Sequence, residues 1–79
     1  MSDTRISEIC NVLKTATDTM TSVIKQDPKK LYDPSIFCMT WGIYKAVTNA
    51  VTVANVLNDS DLSEKLTDSI NALVEAGHI

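Results

Sequence analysis

Three stretches of the chain carry apolar residues at alternating steps of three and four, the spacing that places side chains on one face of a helix. In the first, Ile6, Ile9, Leu13, Ala16, Met20 and Val23 form an a/d seam that Cys10, Thr17 and Ile24 widen on one side, while Arg5, Glu8, Lys14, Asp18 and Lys25 lie off it. The pattern predicts an amphipathic helix over residues 4–26, with Ser2, Asp3 and Thr4 as candidate N-caps. At about three heptads it is short for a coiled coil, so the seam reads as packing within a bundle. Asp27-Pro28 closes this helix, because proline disfavours the α region in the residue before it. Lys29-Lys30-Leu31-Tyr32 is then expected to form one short helical turn with Leu31 tucked inward.

The second stretch opens Asp33-Pro34, a capping carboxylate followed by proline at the first helical position, where its missing N–H costs nothing. Ile36, Thr40, Ile43, Val47, Ala50, Ala54 and Leu57 share one face of a helix over 34–57, and Phe37, Trp41, Tyr44 and Val51 run beside them. With Met39, Ala46, Val53 and Val56 they leave a narrow polar strip of Gly42, Lys45, Asn49 and Thr52. A helix so nearly apolar all round is expected to have neighbours on several sides. Its valines and threonines favour strands, but the stretch is several times longer than the usual strand of about 5 to 6 residues. Gly42 costs roughly 1 kcal/mol against alanine in a helix interior and reads as a close helix crossing beside Trp41.

The third stretch, 61–76, starts among Asn58-Asp59-Ser60-Asp61, where several residues could cap; with Asp61 as N-cap, Glu64 completes a capping box. Leu62, Leu66, Ile70, Leu73 and Val74 form its apolar stripe, and Gly77 is its expected stop. The prediction is an all-α three-helix bundle (4–26, 34–57, 61–76) occupying residues 1–79 as one domain. A chain of this size buries only about 60% of the surface its unfolded form exposes. Small domains compensate with disulfides, metals or self-association, and two cysteines with one histidine favour the last, so a homo-oligomer is expected.

The net charge of −3 supplies neither the basic excess of a nucleic-acid binder nor the density of a DNA mimic. Charge is unevenly placed: residues 1–33 balance, 34–58 carry Lys45 alone, and 59–79 hold five acids against Lys65. Without a charged start followed by an apolar run, and with apolar runs far short of the ~20 residues that span a bilayer, the chain reads as cytoplasmic with no stable membrane insertion. Cys10 and Cys38 then read as reduced thiols.

No catalytic, metal or cofactor signature is present. Cys10, Cys38 and His78 fall on three different segments, and the paired aspartates coincide with helix boundaries, where capping explains them. Two clusters are candidates for binding. Phe37, Met39, Trp41 and Tyr44 are residue types enriched at protein interfaces. Lys25, Lys29, Lys30 and Tyr32, with Lys45, form the basic cluster suited to an anion or nucleotide, although positive charge at a helix C-terminus is also favoured for its own sake.

Leu31-Tyr32-Asp33-Pro34 leading into Met39-Thr40-Trp41-Gly42, within a short acidic helical chain, resembles the small accessory proteins of T-even-type phages, including cytoplasmic lysis-inhibition proteins. The resemblance covers about a third of the chain. It implies a protein that binds and inhibits another macromolecule, in the lysis-inhibition case the cytoplasmic end of a holin. The expectation is therefore a non-enzymatic regulator or inhibitor with a protein partner. The alternative is an oligomer that binds or sequesters a nucleotide through the lysine cluster.

Overall fold

The computed structural model of the chain describes residues 4 to 77, in which α1 (Thr4–Gln26), a short 3-10 turn (Pro28–Tyr32), α2 (Pro34–Val56) and α3 (Ser60–Gly77) follow in order. The three helices run up, down and up, so that Cys10 near the start of α1 packs with Ala50 and Ala54 near the end of α2, and Met20 and Ile24 pack with Leu73 and Ile36 at the other end. The three predicted helices are all present, α2 ending one residue early and α3 one residue longer at each end. Ser2, Asp3 and His78 lie outside the described residues, as does the Thr4 side chain.

Each junction is fixed by local chemistry. The Asp27 carboxylate accepts from the Lys29 N–H at 3.2 Å, and the Asp33 carboxylate accepts from the Ser35 N–H at 2.9 Å with Pro34 in the first position of α2. Both ends of the short turn are thus capped by aspartate. At the α2–α3 turn the cap is Asp59, one of the four candidates, rather than Asp61 with its capping box: its carboxylate accepts from the Leu62 N–H at 3.1 Å. Asp61 instead lies in the first turn and pairs with Lys65 at 3.3 Å on the surface. Asn58 takes the left-handed conformation (φ 58°), while Gly77 is the last residue of α3 and has no positive φ.

The interior mixes small and aliphatic side chains: Thr17, Ile24, Val47, Ala54 and Leu66 are inaccessible to solvent, and Cys10, Met20, Ala50, Thr21, Ser69 and Leu73 are nearly so. Thr17 and Thr21 can be buried because their hydroxyls donate to the carbonyls of Leu13 and Thr17, at 2.7 and 2.8 Å, so no hydrogen-bonding group is stranded. No aromatic residue is among the buried ones. Several large apolar groups are outside: Phe37 and Trp41 are each 49% exposed, Ile9 60% and Val56 75%.

This arrangement revises two sequence expectations. The buried face of α1 runs through Cys10, Thr17 and Ile24 together with Ile6, Leu13 and Met20 of the a/d seam, so the other half of the seam turns outward and Ile9 is exposed; at the end of α2, Leu57 is exposed as well. Gly42 lies at no helix crossing, since a Cβ built there meets nothing within 4 Å. Gly42→Ala is therefore expected to stabilise the isolated chain by about 1 kcal/mol, the helix-propensity difference. Urea unfolding at high dilution should show a raised midpoint with an unchanged slope.

Candidate functional site

The N-terminal half of α2 presents its aromatic residues as a ladder. Phe37 and Trp41 are one helical turn apart and meet edge to face with ring centroids 6.5 Å apart; Trp41 and Tyr44 do the same at 5.6 Å. Because α3 returns antiparallel to α2, its last turn comes alongside this ladder, and the 3-10 turn closes one end. Leu31, Phe37, Trp41, Tyr44, Leu73 and Val74 line the resulting groove of about 330 Å³ together with Thr40 and Gly77.

The groove is apolar and carries few polar groups. The Thr40 hydroxyl is already engaged, donating to the Ile36 carbonyl at 2.7 Å. The Trp41 indole N–H and the Tyr44 phenol are the remaining side-chain handles, a composition suited to holding apolar groups in place rather than to bond-making chemistry. Leu31 is half-buried and lies against Gly77: a Cβ at Gly77 would be in ordinary van der Waals contact with the Leu31 Cδ1 at 3.5 Å.

Three of the four interface candidates, Phe37, Trp41 and Tyr44, thus meet in one groove. Met39, 54% exposed, does not line it and falls on the opposite flank of α2. The basic candidates do not line the groove either. Lys25 ends α1, Lys29, Lys30 and Tyr32 belong to the 3-10 turn that carries Leu31, and Lys45 follows Trp41 by one turn on α2; all five are exposed. A second cleft, between α1 and α3, mixes Lys14 and Lys65 with Asp18 and Asp68, and the Lys14–Asp18 pair closes at 2.8 Å. Among the described residues, no group of three His, Cys, Asp or Glu side chains is placed to hold a metal ion, and no helix is long and apolar enough to cross a membrane.

Leu73, Val74 and Gly77 were absent from the sequence-derived site. The adjacent pair Leu73-Val74 is the one signal that pointed there, because consecutive residues lie about 100° apart around a helix and the pair therefore widens the apolar stripe beyond Leu62, Leu66 and Leu73. No family model matches the chain, and no curated protein or solved structure is significantly similar to it.

Proposed function

We propose that the chain is a non-catalytic interaction module that regulates or inhibits another protein by taking an apolar helical segment of it into the Phe37–Trp41–Tyr44 groove. The observation that carries this reading is the placement of the aromatics. A small bundle normally spends its largest apolar side chains on its own core, whereas here they are half exposed around a groove. The surroundings suggest the partner's chemistry. Lys45 stands one turn beyond Trp41, and Lys29 and Lys30 flank the Leu31 wall, so an amphipathic helix with acidic residues beside its apolar anchors complements the groove. The resemblance to phage lysis-inhibition proteins makes the cytoplasmic end of a holin the first partner to try.

The test compares binding of a fluorescent peptide for that segment to the wild-type chain, to Trp41→Ala and to Val74→Lys. A central aromatic anchor is worth 2 kcal/mol or more, so Trp41→Ala should weaken binding by about 30-fold or more while far-UV circular dichroism is unchanged. Equal binding by all three folded proteins would overturn the groove as the contact surface. A melting temperature that rises with nucleotide concentration, and that loses the rise in Lys29→Ala/Lys30→Ala, would instead establish the nucleotide-binding alternative.

A further inference from the structure

The groove accounts for one flank of α2, and the other flank belongs to a different surface. Lys14 and Asp18 on α1 line the cleft to α3, and the aromatic ladder of α2 also faces α3. The remaining flanks of α1 and α2 therefore adjoin each other. At about 100° per residue, Ile9, Val12, Ala16, Thr19 and Val23 fall in one sector of α1 some 80° wide. Cys38, Met39, Gly42, Ala46, Asn49 and Val53 fall in one sector of α2 about 100° wide. Arg5, in the first turn of α1, is the one charged residue in the two sectors among the described residues. Ile9, Val12, Met39 and Val53 in this face are exposed.

Two further observations say what covers it. One long side of the 44 × 19 × 16 Å bundle covers on the order of 800 Å², about what each partner buries in a standard stable interface. Gly42 is the other observation. It sits mid-helix in this face at a cost of about 1 kcal/mol, and nothing within the chain approaches it. A glycine that the chain's own packing does not need is accounted for by a second helix backbone arriving from outside.

We infer that this α1/α2 face pairs with the same face of a second copy, with Gly42 and Ala46 at the close approach and both aromatic grooves left open. A two-fold interface uses one patch twice and so needs no complementary charges, and homodimer interfaces are the more apolar class. The inference does not depend on the groove's function.

Light scattering coupled to gel filtration across a dilution series tests it with the wild-type chain, Gly42→Glu and Val74→Lys. The expected result is twice the 8.7 kDa chain mass for the wild type and for Val74→Lys, and the single-chain mass for Gly42→Glu. Gly42→Glu should keep its helical content, because the site is open and glutamate is the better helix former; Val53→Lys, on the same exposed face, carries the same expectation and guards against misfolding. A wild type at the single-chain mass throughout overturns the inference. So do dimeric Gly42→Glu and Val53→Lys, and a Val74→Lys that alone becomes monomeric would move the interface to the groove.

Discussion

Leu66→Ala is expected to destabilise the fold by about 3 to 5 kcal/mol. Leu66 is fully buried in a cluster with Cys10 from α1 and Val47, Ala50 and Ala54 from α2, so with its neighbour Leu62 it joins α3 to both other helices. The cluster's buried members from α1 and α2, Cys10, Val47, Ala50 and Ala54, are short, which leaves little on that side that can swing in to fill the space. The cost should therefore sit toward the upper part of the Leu→Ala range. At 0.05 to 0.15 kcal/mol per residue, a chain of this length has roughly 4 to 12 kcal/mol of stability in total. The substitution should consume a large share of it. Urea unfolding followed by far-UV circular dichroism should show the midpoint falling accordingly, whereas Val56→Ala, at a position 75% exposed, should shift stability by less than about 0.5 kcal/mol. A loss below 1 kcal/mol at Leu66 would mean that the three helices are not packed around it.

The same core explains which parts of the architecture were legible in the sequence. Helix positions follow from Asp27-Pro28 and Asp33-Pro34, because proline geometry and carboxylate capping act within a few residues and need no tertiary context. The buried face of α2 follows from the spacing of Val47, Ala50 and Ala54. The face of α1 was placed too far toward Ile9. Hydropathy ranks isoleucine above threonine, yet Thr17 satisfies its hydroxyl within its own helix and is small enough to let three helices approach. With Thr17 on the buried line, Ile9 falls on the outer flank of α1, while Ile24, seven residues beyond Thr17, is fully buried. The groove was only half legible. Phe37, Trp41 and Tyr44 announce themselves by type and spacing, but Leu31, Leu73 and Val74 join them only once α3 is folded back along α2. Met39 illustrates the limit of clustering by sequence: two residues from Phe37 along the chain, it is on the far side of the helix.

The turn that folds α3 back carries the second large expected effect. Leu57, Asn58 and Asp59 end α2 with a paired set of bonds, in which the Asp59 N–H donates to the Ala54 carbonyl at 2.9 Å and the Asn58 N–H to the Asn55 carbonyl at 3.1 Å. This is the Schellman arrangement, and it requires a left-handed residue at position 58, where asparagine is the best tolerated residue after glycine. Asp59 then caps α3, and the Ser63 hydroxyl donates to the Asn55 side-chain oxygen at 2.7 Å, tying the new helix to the end of the old one. Asn58→Pro fixes φ near −65°, opposite in sign to the observed 58°, and removes the N–H that bonds to Asn55. It is expected to cost about 3 kcal/mol or more, while Asn58→Gly should be neutral or slightly stabilising because glycine reaches the same conformation without strain. If the turn is the hinge that sets α3 against the aromatic ladder, Asn58→Pro should also red-shift Trp41 fluorescence as Leu73 and Val74 withdraw from the groove. Equal melting of the proline and glycine variants would show that the turn does not govern the return of α3.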